Sequence, residues 1–221
     1  MRRASENLYR DHHFILIALD AIDRALWHAA RGQRSIEFFE LGAEFVTVYA
    51  DGAHYEKEEL LFQAVIAAPM PPAAVPVGCL LMEHDSTRAQ GERIRAGLAA
   101  IRAGNEAEWF TVMDAFFRYS AIIRVHLPKE NNGFFPMSDQ VLSPEVQAEL
   151  VARFDAIDGA LPSTIEAIAA ALHQQASPAA NAGPTAVVPG RVEKSHTDKY
   201  TMYDDRLAAS LEKLQVTYRR Y

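Results

Sequence analysis

The sequence predicts an all-α protein, an antiparallel four-helix bundle with additional helices after it. Proline is absent from residues 1–68 and 77–127, and apolar residues in both stretches recur at three- and four-residue steps, as on one face of a helix. No segment alternates apolar and polar residues, so we expect no sheet. Four long helices with short connections favour antiparallel packing in a bundle.

The four bundle helices follow one another at about residues 4–31, 35–67, 77–103 and 106–134. Gly32 ends the first helix, Ser35 is the expected N-cap of the second, and Gly104 begins a tight turn between the third and fourth. Pro128 removes one backbone hydrogen bond and predicts a kink near Arg124.

The chain divides into four parts: a bundle domain over 1–142, additional helices packed on it over 143–175, a linker over 176–190 and an amphipathic helix over 191–221. Pro144 follows Ser143 as a proline in the first helical turn would. The apolar stripe of the last helix predicts a docking face, either for the bundle or for a second subunit in a homodimer.

Composition restricts the class of protein. The chain has 22 basic and 29 acidic residues and a net charge of −7, which argues against nucleic acid as a partner. The single cysteine, Cys79, excludes an intrachain disulfide and fits a reducing cytoplasm; we expect it to be a small buried residue. Four prolines interrupt the uncharged run over 64–82, so we expect no membrane span. Asp11, His12 and His13 leave no long apolar stretch near the N-terminus, so we expect no signal peptide.

A repeat at an offset of 72 residues is the most informative pattern in the sequence. Each half has one histidine and, forty-two residues later, a second histidine within the pattern His-x-x-Lys-Glu. The matched pairs are His12 and His84, His54 and His126, Lys57 and Lys129, and Glu58 and Glu130, while Asp11 and Glu83 match in kind.

Helix geometry makes these residues candidate metal ligands. His54 and Glu58 are four residues apart and share a helix face, as do His126 and Glu130. Carboxylates in an apolar core are costly unless they are paired or coordinate a metal, and mixed imidazole and carboxylate ligation suits iron, manganese or zinc. Six ligands exceed one tetrahedral zinc site and fit two metals. The candidates are His12, His54, Glu58, His84, His126 and Glu130.

The segments DHHFILIALDAID, HYEKEELLF, MEHDSTR and HLPKENNGFFP resemble the motifs of the hemerythrin-like, or HHE cation-binding, family over about residues 6–142. This resemblance implies two non-haem iron ions with an oxo or hydroxo bridge, bound by the histidines and bridged by the two glutamates; manganese or zinc are the alternatives.

The resemblance also implies a function. We expect binding of, or reaction with, O2 or a related small oxidant such as peroxide or nitric oxide, in sensing, storage or detoxification. A peroxidase-like or catalase-like enzyme is one variant of this function, and an iron-sensing regulatory module without turnover is the alternative. Oxygen-carrying members have a further histidine where this chain has Arg88, so we expect an open coordination position.

Some histidines and tyrosines stay as weaker candidates. His13 would replace His12 only after a shift in register, and Tyr55 or Tyr119 could form hydrogen bonds near the metals. The remaining histidines are expected outside the site: His28, His173 and His196.

Overall fold

The structure is a computed structural model that describes residues 2–69, 77–162 and 164–175. Its regular elements in these ranges are all helices, without a strand, which confirms the all-α class. The predicted linker over 176–190 and the predicted helix over 191–221, with its expected docking face, lie outside the described residues.

The helices have the following bounds: α1 Ala4–Ala29, α2 Ile36–Glu44, a π-helix Phe45–His54, α3 Tyr55–Ile66, α4 Val77–Arg102, a short 3₁₀ turn Glu106–Glu108, α5 Trp109–Lys129, a second π-helix Glu130–Phe134, α6 Phe135–Val141, α7 Pro144–Ala160 and α8 Thr164–Gln175.

Local sequence explains several of these boundaries. The Ser35 hydroxyl accepts a hydrogen bond from the backbone N–H of Phe38 and caps α2, as predicted. Gly32 and Gly104 follow the ends of α1 and α4 with φ of 86° and 95°, a backbone conformation that glycine adopts without steric cost. Ser143 caps α7 in the same way as Ser35 caps α2.

The second predicted helix, over 35–67, is helical throughout, but its centre is not α-helical. A π-helix over Phe45–His54 connects α2 to α3 and ends on one of the candidate ligands. π-helical turns hold more residues than α-helical turns and are frequent at functional sites. Three- and four-residue apolar spacing does not distinguish the two, so the sequence did not reveal this segment.

The fourth predicted helix is longer than expected. It was predicted to end at residue 134, but α5 runs through Pro128 to Lys129, and a π-helix over Glu130–Phe134 leads directly into α6. The Asn132 side chain donates a hydrogen bond to the carbonyl oxygen of Pro128 at 2.9 Å. The Asn-Asn-Gly segment therefore continues the helix.

The helices form a bundle in which α4 packs along α5, and α1 contacts α5, α6, α7 and α8. The described core has two apolar clusters. Ile15, Tyr55 and Phe116 belong to one of them, and Phe62 and Phe135 belong to the other. No described helix is long and apolar enough to cross a membrane.

Candidate metal centre

The six candidate ligands converge in the interior of the bundle. They come from α1, the first π-helix, α3, α4, α5 and the second π-helix. His12 is 2% exposed and the other five are fully buried: His54, Glu58, His84, His126 and Glu130. A fully buried group of ionisable side chains is costly unless its members are paired or bind a metal.

Glu58 lies at the centre of this group, and its two oxygens face different histidines. The Oε1 atom is 3.0 Å from His12 Nε2 and 3.0 Å from His54 Nε2. The Oε2 atom is 3.2 Å from His84 Nε2. One carboxylate thus reaches histidines of both sequence halves, as a bridging ligand would.

Glu130 makes the corresponding contacts on the other side of the site. Its Oε2 atom is 3.2 Å from His126 Nε2 and 3.4 Å from His12 Nε2. His84 and His126 face each other, with their Nε2 atoms 3.3 Å apart. Each of the four imidazoles therefore turns its Nε2 atom towards the same small volume.

This donor set fits metal ions. Two groups have ligand atoms close enough to share an ion: Glu58, His84, His126 and Glu130 form one, and His12, His54 and Glu58 form the other. His54 Nε2, Glu58 Oε2 and both Glu130 oxygens are buried without a hydrogen-bond partner. Buried polar atoms are rarely left unpaired, and a cation within the group would satisfy all of them.

Three of the four imidazoles are also held by their outer nitrogen. His54 Nδ1 lies 3.3 Å from Asp11 Oδ2, and His126 Nδ1 lies 2.9 Å from Glu83 Oε2. Such carboxylate contacts orient metal-bound histidines and fix the tautomer that leaves Nε2 free to bind. Asp11 is held in turn by the hydroxyl of Tyr49, which donates to its Oδ1 atom at 3.0 Å.

The sequence did not predict which groups lie at the outer nitrogens of the other two histidines. His12 Nδ1 is 2.7 Å from Asn131 Oδ1. His84 Nδ1 is buried without a hydrogen-bond partner, and Glu59 Oε1 lies 3.8 Å from it. Residues 59 and 131 are also 72 positions apart. The repeat therefore relates Asn131 to Glu59, as it relates Asp11 to Glu83, and this offset is the signal that could have found both neighbours.

The two lysines of the repeat contact the same carboxylates that hold His54 and His126. Lys57 contacts Asp11 at 2.5 Å, and Lys129 contacts Glu83. Each half of the chain thus contains a lysine, a carboxylate and a histidine in contact, with the histidine facing the centre.

Charge balance in the cluster perturbs several pKa values. Burial disfavours the imidazolium, but the carboxylates of Glu130 and Glu58 outweigh it and raise the pKa of His12 to about 9. Burial also disfavours the imidazolium of His126, but the carboxylate of Glu130 outweighs it and raises the pKa of His126 to about 9. Burial favours a neutral Glu58, but the neighbouring imidazoles, His54 first, hold its pKa well below the usual range. Burial opposes it, but the neighbouring carboxylates also raise the pKa of His54, so protons on these three histidines favour the metal-free cluster and a bound cation would displace them.

Aromatic rings surround the cluster. The ring of His84 stacks on Tyr55 with centroids 3.6 Å apart and lies 5.8 Å from the ring of Phe62. Phe135 packs against His12 with centroids 5.0 Å apart. These rings limit water access to the site. Three further apolar residues are fully buried in the core: Ile15, Phe116 and Ile123.

The weaker candidates lie elsewhere or contact other groups. The Tyr119 hydroxyl donates to Asp51 at 2.7 Å, and His28 contacts Gln33 near the end of α1. His13, although partly buried, belongs to neither candidate metal group. The structure contradicts one expectation, because Cys79 is exposed. His196 and the side chain of His173 lie outside the described residues.

Arg88 pairs with a carboxylate beside the metal cluster. Its Nη2 atom pairs with Glu59 at 2.7 Å, and its guanidinium carbon lies 5.3 Å from the centroid of the Tyr55 ring. The side chain is 40% exposed. Arg88 thus supplies no further ligand at the position where a further histidine was considered.

A helical bundle with a buried cluster of histidines and glutamates defines a metal-binding class of protein. The chain belongs to the hemerythrin HHE cation-binding domain family, because the model of that family matches residues 3–138. No curated protein and no solved structure matched the chain. Helices α7 and α8 follow the matched segment.

Proposed function

We propose that the protein binds two iron ions in the bundle core and that the iron centre binds or reacts with O2, peroxide or nitric oxide. The proposed ligands are His12, His54, Glu58, His84, His126 and Glu130. The observation that carries the proposal is Glu58, whose two buried oxygens face histidines of different halves of the chain. Iron would supply one-electron redox chemistry and a coordination position for the small oxidant.

The residues of the chain have separable roles in this proposal. The four Nε2 atoms bind, and the outer contacts of Asp11, Glu83 and Asn131 hold the rings in position. The surrounding aromatic rings exclude water, which strengthens the electrostatic interactions inside the site. One chain supplies the whole ligand set, so a homodimer is not required. The single cysteine of the sequence fits a cytoplasmic protein.

Turnover of peroxide would need a proton donor at the site. Two acidic neighbours of the cluster are already paired with basic side chains. Glu83 contacts His126 and Lys129. Glu59 contacts Arg88. These contacts support binding or sensing over peroxidase-like or catalase-like turnover.

Elemental analysis of the protein, reconstituted anaerobically with ferrous iron, tests the proposal. We expect two iron ions per chain and a near-ultraviolet absorption band after exposure to air. His28→Ala is the matched control and keeps both ions, whereas His54→Ala lowers the iron content and the melting temperature together. One zinc ion and no iron after iron-replete expression would contradict the proposal.

An iron-sensing module without turnover is the second candidate. The observation that favours it is a contact between α7, which lies beyond the family match, and the neighbourhood of the site, at Asp158 and Lys57. Repeated peroxide addition to the diferrous protein distinguishes the two candidates. Consumption of many equivalents supports an enzyme, whereas iron-dependent protection of α7 from hydrogen exchange without consumption supports a sensor.

A further inference from the structure

The two lysines of the repeat have different environments. Lys129 is 40% exposed, and its carboxylate partner is Glu83. Lys57 is fully buried and has three polar partners from three other positions in the chain: Asn7, Asp11 and Asp158. Sequence symmetry at this pair is therefore broken in the structure.

Helix α7 supplies the partner that breaks this symmetry. Asp158 Oδ1 lies 2.7 Å from Lys57 Nζ, and Asp158 Oδ2 accepts a hydrogen bond from Asn7 Nδ2 at 2.9 Å. The Oδ1 atom of Asn7 accepts from the same ammonium at 3.0 Å. Asn7, Lys57 and Asp158 thus form a closed ring of three hydrogen bonds.

This ring is continuous with a candidate ligand. Lys57 Nζ lies 2.5 Å from Asp11 Oδ2, which is also the atom that contacts His54 Nδ1 at 3.3 Å. A contact chain therefore runs from Asp158 through Lys57 and Asp11 to His54. We propose that Asp158 is a positioning residue, through which α7 fixes the ligand His54 and strengthens one of the two metal positions.

The physical reason is the charge on a buried ammonium. Lys57 has two anionic partners, and each takes part of its charge. Without the carboxylate of Asp158, the whole charge would fall on Asp11. Asp11 would then accept the His54 proton less strongly, and the imidazole would be a weaker and less ordered ligand. His84 and His126 do not belong to this series of contacts, so the metal affinity at their position should not change.

The test compares two substitutions on α7. Asp158→Asn removes the charge at the ring and keeps the shape of the side chain. Asp155→Asn is the matched control, because Asp155 is on the same helix, is 52% exposed and pairs with Arg2 at the surface. The readout is the affinity of each ferrous equivalent, measured anaerobically against a competing chelator, together with the free energy of unfolding of the metal-free protein.

The inference rests on the proposed metal binding. We expect Asp158→Asn to weaken one metal equivalent about tenfold, the lower end for contacts behind a ligand, and to leave the other within about twofold. We expect Asp155→Asn to change neither beyond about twofold, because exposed pairs contribute little. Asp158→Glu keeps the charge and is expected to restore most of the lost affinity.

Three outcomes would overturn the inference. If the wild-type protein binds two metal ions and Asp158→Asn binds both with unchanged affinity, the positioning role is contradicted while the proposed function stands. Equal loss of both equivalents together with lower metal-free stability shows that α7 acts only as packing. A wild-type protein that binds no metal contradicts the proposed function, and the inference falls with it.

Discussion

Replacing Glu58 by glutamine tests whether this carboxylate is shared by two metal ions. Glutamine has nearly the same shape, so packing in the core is retained while the negative charge is removed. Glu58 belongs to both groups of candidate ligands, whereas Glu130 belongs to one. We therefore expect Glu58→Gln to lose both metal equivalents and Glu130→Gln to lose mainly one.

The magnitude follows from ligand-linked stability. An ion present at 1,000 times its dissociation constant stabilises the folded state by about 4.1 kcal/mol, so two independent ions contribute about 8 kcal/mol. For a domain of this size, 1 kcal/mol shifts the melting temperature by roughly 2–4 °C. Glu58→Gln is then expected to lower the melting temperature of the loaded protein by about 16–32 °C, and Glu130→Gln by about 8–16 °C.

The assay is calorimetry of each variant with and without saturating ferrous iron, together with iron analysis of the same samples. Subtracting the metal-free melting temperature removes the effect of the substitution on the bundle itself. A Glu58→Gln variant that keeps one equivalent at wild-type affinity would show that the two positions do not share this carboxylate. The bridging interpretation of its two oxygens would then be wrong.

Three further predictions concern other positions. Burial raises the pKa of Asp51 from 3.8 to about 6, so the free energy of unfolding falls as pH rises from about 4 to about 6. Asp51→Asn should remove this fall and stabilise the metal-free protein by up to about 3 kcal/mol at pH 7 but not at pH 3. An equal effect at both pH values would contradict the raised pKa. A Cβ atom on Gly97 would lie 2.6 Å from Val112 Cγ2, so Gly97→Ala should cost about 1–3 kcal/mol in urea unfolding, while Gly78→Ala, which meets nothing within 4 Å, should not destabilise α4. Arg88→His should slow air oxidation of the diferrous protein and weaken azide binding, because a further imidazole would fill the open coordination position. Both effects are measured optically. Unchanged oxidation rate and azide affinity would argue against an open coordination position.

The sequence predicted the composition of the candidate site well because its residues are tied to helix periodicity. His12 and His84 occupy apolar stripe positions of their helices, and Glu58 and Glu130 each follow a candidate histidine by four residues. Identity and spacing alone therefore indicate which side chains share a face. The structure places these six side chains together, and their role as ligands stays a prediction.

What the sequence did not predict depends on tertiary contacts. Asp158 lies 101 residues from Lys57, and no periodicity relates a surface position on α7 to a buried lysine. The π-helix over Phe45–His54 was equally hidden, because ten residues of apolar spacing fit either kind of helix. Cys79 was expected in the interior from its residue type alone, but it lies on an exposed face of α4.

The wide spacing of the candidate ligands along the chain has a consequence for biosynthesis. The first is residue 12 and the last is residue 130, so 118 residues separate them. At about 5–20 residues per second of translation, roughly 6–24 s pass between synthesis of His12 and of Glu130. The group of His12, His54 and Glu58 is complete in the first half of the chain, but the helices that bury it, from α4 onwards, are synthesised later. Ions are therefore expected to enter after the helices have closed, and iron supply at that moment, rather than during elongation, would decide which metal the protein retains.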